Sequence, residues 1–222
     1  MQYETEEQQV EALKKWWKDN AKSVIGGVLI GVGVLLGGRA YIQQSHLHVE
    51  SASAAFEAMM SNMEQNKNKE AEEIGAQILG QYVDTPYATM ASMALAKLKL
   101  DAGDIATAKT HLRYALDHSE KEEVKHVIRL RLARLLLTEG KHDEALQLLN
   151  SVEPGVFKSS YEELKGDIYV VMGKVDEARN AYNIAMASLE AGSKNRNFLQ
   201  MKIDDLGEVE ISKPASSESG AS

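Results

Sequence analysis

Residues Ser23 to Ile42, SVIGGVLIGVGVLLGGRAYI, constrain this chain more than any other stretch, because their composition suits lipid rather than water. From Ser23 to Gly38 no residue is charged, and Lys22 and Arg39 close the two ends. At ~1.5 Å per helical residue that core spans about 24 Å, short of the ~30 Å hydrocarbon slab. Counting on to Ile42 reaches roughly 30 Å, provided the Arg39 guanidinium snorkels to the headgroups. Tyr41 then serves as an interfacial anchor. A buried helix of a soluble protein fits poorly, because six glycines in this short run would fray it in water and no polar stripe faces solvent. A cleaved signal peptide fits poorly too. The 22 residues before the run contain five acids, and Ala52-Ser53-Ala54, shaped like a cleavage site, lies too far downstream. The expectation is one uncleaved transmembrane helix, 23–42.

The flanks orient it. Lys14, Lys15, Lys18 and Lys22 lie on the N-terminal side, whereas Arg39 is the sole Lys or Arg on the other side before Lys67. The positive-inside rule therefore places residues 1–22 in the cytoplasm and everything after 42 outside it. The remainder is long enough for one domain with a real core. Residues 1–42 hold five acids and five bases, so the part beyond them carries the whole net charge of −8. Such an acidic domain has no electrostatic footprint for nucleic acid. There is no cysteine, which excludes disulfides, thiol catalysis and Cys-based zinc sites. Three prolines and abundant Ala, Leu, Glu and Lys point to an all-α protein.

In the tail, Val10, Leu13, Trp16 and Trp17 form a ragged apolar face of a short helix, either an interfacial anchor or a docking helix for a cytoplasmic partner. Within the span, Gly27 with Gly31 and Gly33 with Gly37 are G-x-x-x-G pairs, a spacing that lets a second helix approach closely. That helix belongs to a second copy or to another protein. Past the span no helix breaker occurs before about Gln65, so one long helix is expected, then a turn at 66–68. A second helix, 70–83, ends at Asp84-Thr85-Pro86.

From Tyr87 a repeat emerges. Gly103, Gly140 and Gly173 are each followed at five residues by Ala108, Ala145 and Ala178, and at nine by Leu112, Leu149 and Tyr182. Twelve residues on stand Ala115, Val152 and Ala185; seven before stand Ala96, Ala133 and Gly166. Spacings of 37 and 33 residues, with small residues at the helix crossings and a glycine turn, resemble the tetratricopeptide repeat. The glycine ends the first helix of each pair in a left-handed cap. Segment 51–83 has the size of a fourth, degenerate copy. Residues 195–206, NRNFLQMKIDDL, form a last helix that covers the open end of the stack. Residues 207–222 are small and polar, and disorder is expected there. The domain reading is 1–22 tail, 23–42 span, 43–206 repeat domain and 207–222 tail.

No constellation for catalysis emerges. His46 and His48 are two apart and diverge by roughly 200° on a helix, so they cannot share a metal. His111, His118, His126 and His142 are scattered. Glu72-Glu73, Glu122-Glu123 and Glu162-Glu163 lie early in helices, where acids suit the positive end of the dipole. Neither a phosphate-cradling loop nor a G-x-S-x-G elbow is present. The expectation is a non-enzymatic protein with no cofactor and no metal, working through its surface. If the first helix of each pair lines a groove, its positions are Met90, Met93, Lys97 and Leu100; Val127, Leu130, Arg134 and Leu137; and Ser160, Glu163, Asp167 and Val170. This strip is apolar, with basic points at one end and acidic points at the other, and several of its members also suit a core.

The opening YETEEQQVEALKKWWKDN with GGVLIGVGVLLGGRAYI, the VIRLRLARLLL helix at 127–137 and the closing FLQMKIDDL resemble the ancillary SecYEG translocon subunit (YfgM-like) family over about residues 3–206. The resemblance implies a single-pass protein of the inner membrane of a Gram-negative bacterium with a periplasmic tetratricopeptide-like domain. It implies two partners, the SecYEG translocon and a membrane-anchored parvulin-like periplasmic chaperone (PpiD-type), and a role in handing secreted chains to periplasmic chaperones. Two other roles remain open: a membrane-anchored holdase that binds unfolded chains in its groove, and a scaffold for envelope assembly.

Overall fold

A computed structural model describes residues 6–190 and 192–211, and among these every regular element is helical. The chain divides into two compact units, 1–54 and 55–222. Helix α1, Glu6–Glu64, runs through the first unit, and its last residues belong to the second. The chain passes residue 42 as unbroken helix, as the lack of helix breakers there predicts. In the first unit the apolar run stands open: Leu29, Ile30, Val34 and Leu35 are each at least two-thirds exposed. A segment of α1 is long and apolar enough to cross a membrane, with mean hydropathy 1.8.

The second unit is a series of helical hairpins. After α1 come α2 Asn68–Gln81, α3 Pro86–Asp101, α4 Ile105–His118, α5 Glu122–Thr138 and α6 His142–Asn150. A 3-10 turn at Gly155–Phe157 leads to α7 Lys158–Val171, α8 Val175–Ala187 and α9 Asn195–Ile211. The α1–α2 turn is made by Asn66 at φ 59°, so α2 starts and ends about two residues earlier than expected. Pro86 opens α3 at a position where its missing N–H is no loss.

The three repeat glycines adopt φ of 80°, 74° and 73°, a region costly for any residue with a Cβ. That conformation lets the next amide reach back five residues, Asp104 N–H to Lys99 O at 2.8 Å, Lys141 to Leu136 at 2.8 Å and Lys174 to Tyr169 at 2.9 Å. Each glycine amide closes the shorter bond, to Leu100, Leu137 or Val170. These paired bonds are a Schellman cap that satisfies carbonyls α3, α5 and α7 would otherwise leave open.

Burial follows the repeat register. Ala96, Ala133, Ala108, Ala145, Ala178, Leu112 and Leu149 are at most 1% exposed, and Tyr182 is 3% exposed. Val152 departs: α6 stops at Asn150, and Val152 packs half-buried from the loop. Pro154 explains the early stop, since a proline disfavours helical backbone in the residue before it. The apolar residues gather into successive cores, and α5 serves two of them. Ile128, Leu132 and Leu135 face the α3–α4 core, whereas Leu130, Ala133 and Leu136 face the α6–α7 core. A helix sandwiched in this way must be apolar around most of its circumference, as VIRLRLARLLL is.

At the last crossing the sizes trade places. Where the earlier repeats pair Ala with Leu, the third pairs Gly166 with Tyr182, and a Cβ at Gly166 would stand 2.3 Å from the Tyr182 ring. α9 then closes the stack with Leu199 (0% exposed) and Leu206 (5%) against Tyr182 and Ala185. It continues to Ile211, past the expected end at 206; residues 212–222, where disorder was expected, lie outside the described residues.

Gly166→Ala is expected to lower the unfolding free energy by about 1–3 kcal/mol through overpacking. Gly80→Ala, on α2 with open space around it, is expected to raise it by up to about 1 kcal/mol by stiffening the helix and the unfolded chain. Urea unfolding of the two variants, with opposite signs, checks the crossing.

Candidate functional site

The twelve first-helix positions sit at four offsets before the turn glycines, and the structure separates them into two kinds. Thirteen and six residues before each glycine the side chains reach solvent. Met90 is 44% exposed, Val127 and Ser160 are half-buried, and Lys97 and Arg134 are exposed. Ten and three residues before, most are committed to packing. Leu130 is 6% exposed inside a core, and Met93, Leu100 and Leu137 pack half-buried against cores. Val170, at 42%, is the exception in that row. Leu130 in particular has no side chain left for a partner. The open surface of α3 and α5 is thus narrower than the twelve positions.

The charges on this face are arranged unevenly. Lys97 pairs with Asp101 at 2.6 Å, but both are well exposed, so the pair contributes little. Arg134 and Arg131, three apart on α5, are exposed and make no ion pair among the described residues. Arg131 escaped the repeat register, because no position equivalent to it is charged in the other two repeats.

The acidic end is occupied by the chain's own last helix. Lys202 of α9 places Nζ 2.9 Å from Glu163 Oε1 and 2.6 Å from Asp167 Oδ1. The Tyr182 hydroxyl donates to the same Asp167 oxygen at 2.7 Å. The ammonium also lies 4.8 Å from the centre of the Phe198 ring and 5.5 Å from that of Tyr182. Two carboxylates four residues apart, read from sequence as free acidic points, are therefore bridged by a cation, with side-chain exposures of 19–33%. Nothing in the linear sequence pairs residue 202 with residues 163 and 167, which is why this contact was missed.

Between α5 and α7 lies a second polar contact. Tyr161, fully buried, shares a 2.8 Å hydrogen bond with His126 Nδ1, and the imidazole stacks on Phe157 at 5.0 Å. Two clefts flank the hairpins. One of about 350 Å³ is lined by Arg113, Leu116, Leu148 and Glu144; the other, about 180 Å³, by Val83, Pro86, Met90, His118 and Val124. Met90 thus belongs both to the first-helix face and to a partly apolar cleft beside it.

In the first unit, Gly27, Gly31, Gly33 and Gly37 all lie open, with no atom within 4 Å of where a Cβ would stand. At 100° per residue the six glycines fall into two stripes, Gly26, Gly33, Gly37 and Gly27, Gly31, Gly38, about 120° apart. Ile30 and Val34 form the ridge between them. The G-x-x-x-G pairs seen in sequence therefore belong to separate faces of one helix.

Comparison with known proteins places this geometry. Residues 14–208 match the tetratricopeptide repeat-like domain family, so the match takes in the apolar helix and every hairpin after it. A protein of Haemophilus influenzae called the ancillary SecYEG translocon subunit is 30% identical over 202 residues, covering 90% of this chain and 97% of its own. Its namesake from Escherichia coli K12 is 29% identical over 207 residues, 92% and 98% of the two chains. Among solved structures, Pseudomonas aeruginosa PilF superposes with a TM-score of 0.56 at 16% identity, over 74% of this chain and 71% of its own. TPR-like kinesin light chain repeats of Podosopora anserina superpose with a TM-score of 0.56 at 17% identity, over 75% and 89%. These structural likenesses show the fold alone.

Burial first, then the Asp167 bond and the nearby charges of Asp167 and Glu163, push the Tyr182 hydroxyl well above the ordinary value of 10.0. A raised folded value means stability that is complete below the unfolded value and is lost as pH climbs above it. Urea midpoints are expected to fall above about pH 10. Tyr182→Phe is expected to make that alkaline decline shallower, with a remnant from Tyr161 and Tyr114, which burial also shifts upward.

Proposed function

The chain belongs to the ancillary SecYEG translocon subunit family, and from that premise we propose that it is a non-enzymatic accessory of the secretion channel, linking the channel exit to periplasmic chaperones. The observation that carries the reading is the extent of the likeness to the ancillary translocon subunits of Haemophilus influenzae and Escherichia coli, which covers about nine-tenths of this chain and so takes in more than the repeats. A fold resemblance confined to the repeats would support a generic binding module and nothing more.

In this reading α1 crosses the inner membrane of a Gram-negative bacterium once. The lysines at 14, 15, 18 and 22 keep the N-terminus in the cytoplasm, and the acidic hairpin domain works in the periplasm. The two glycine stripes are docking faces for other membrane helices, where close backbone approach replaces the missing hydrophobic drive. Two faces on one helix suit a chain that contacts more than one spanning segment, such as a channel subunit on one side and the anchor of a parvulin-like (PpiD-type) chaperone on the other. In the domain, Met90 at the cleft and the exposed Arg131 and Arg134 of α5 offer contacts. Catalysis has no part in this role, and the partners are proteins and the lipid bilayer rather than nucleic acid.

A second reading, direct holding of unfolded chains, is favoured by one observation, the exposed Met90 at a partly apolar cleft. The two separate experimentally. Purification of the tagged full chain in mild detergent is expected to bring down the channel subunits and a parvulin-like chaperone. Gly27→Ile with Gly31→Ile is expected to cut recovery of one of them about tenfold, equivalent to the one to two kcal/mol of a membrane helix contact. Wild-type preparations free of channel subunits would overturn the accessory role. Suppression of client aggregation by the same preparations, lost in Met90→Asp, would instead support holding.

A further inference from the structure

The lysines beside the span have a geometry that orientation alone does not need. On α1, taking 100° per residue, Lys14, Lys18, Lys22 and Lys15 fall within one sector of about 100°. Leu13, Trp17, Val10 and Trp16 occupy the opposite sector. All four lysines are exposed, and none makes an ion pair among the described residues. Lys22 adjoins the first uncharged residue of the run, and Lys14 lies about 13 Å up the helix from Ser23. The cations thus cover the depth of the phosphate layer and the water just above it.

The acids of this segment lie mostly further from the span, with Glu11 on the lysine face one turn before Lys14 and Lys15. Glu11 is about 18 Å from Ser23 along the axis, and Glu6 and Glu7 are further still. At a screening length of ~8 Å Glu11 offsets charge at Lys14 and Lys15, about 4–6 Å from it along the axis, but not at Lys18 and Lys22, which lie more than about 10 Å away. Asp19 is the one acid at headgroup depth, and it stands at the edge of the lysine sector. The other end of the span has Arg39 alone. A one-sided, unpaired cationic face at phosphate depth, backed by two tryptophans, matches the charge of anionic phospholipid headgroups.

We propose that the α1 face formed by Lys14, Lys15, Lys18 and Lys22 binds the phosphates of anionic phospholipids and gathers those lipids around the N-terminal end of the span. The proposal rests on α1 crossing a membrane, but not on the identity of any protein partner. Each ammonium near such a surface adds a favourable electrostatic contribution that falls off within the screening length. Lipid enrichment is the direct consequence, and it is sensitive to salt.

Trp16 and Trp17 are the two tryptophans of the chain, so its fluorescence reports on the lipids around this segment of α1. The full chain is reconstituted into phosphatidylcholine nanodiscs containing an equal fraction of brominated phosphatidylglycerol or of brominated phosphatidylcholine. Both leaflets are alike, so inverted insertion of a variant does not alter the comparison. The expected result is at least about twofold stronger quenching by the anionic lipid. Molar salt, or replacement of the four lysines by glutamine, which keeps helix propensity, is expected to abolish the difference. Equal quenching by the two lipids in the wild-type chain would overturn the proposal and assign the face to a protein partner. Quenching by neither lipid would overturn the membrane crossing itself.

Discussion

The hairpin domain depends on a backbone hydrogen bond that reaches back five residues across a left-handed glycine. At Gly103, Gly140 and Gly173 this bond ends one helix before the next begins, with nearly the same glycine φ each time. A single hairpin made this way has an apolar face with nothing to bury it. The face is covered by the first helix of the following pair, and for that reason α5 carries two apolar faces and belongs to two cores. Stability is then shared between neighbours, as in any solenoid, and the last pair needs a substitute for the missing neighbour.

α9 is that substitute, and the way it docks changes what the domain can offer a partner. The third repeat has Gly166 and Tyr182 where the others have Ala and Leu, and the larger ring extends far enough for its hydroxyl to reach Asp167. Lys202 completes the arrangement by bridging Glu163 and Asp167. The acidic positions of the first-helix face are thereby satisfied within the chain. The exposed cations of α5, Arg131 and Arg134, have no such partner among the described residues. Arg131, Arg134 and Met90 are exposed on α5 and α3, so the face is not a strip running from free basic to free acidic points.

Much of the fold was legible in the sequence because its determinants are local. A glycine whose neighbours allow a Schellman cap, small residues a fixed distance on either side, and an uninterrupted run of Val, Leu, Ile and Gly all act within a few turns of helix. The repeat spacing therefore located α3 to α8, and an absence of breakers located the long α1. The register misled at Val152, where Pro154 two residues on ends α6 early, and at the end of α9, which runs five residues further than its apolar pattern. The surface was less legible. Periodicity marks the face a residue occupies, but Leu130 and Arg131 are neighbours in sequence with opposite fates, one in a core and the other in solvent.

By itself the sequence determined the membrane-compatible helix, the glycine turns and the all-α hairpin series, since each follows from composition or from contacts between residues close in the chain. Only the tertiary structure decided which side chains remain available. It sank Leu130 into a core, left Arg134 exposed, and brought Lys202 across from α9 to bridge Glu163 and Asp167. The reason is the reach of the interactions: caps and helix propensity act over five residues, whereas an ion pair between residues 163 and 202 exists only once the α7–α8 hairpin has formed and the closing helix has docked on it.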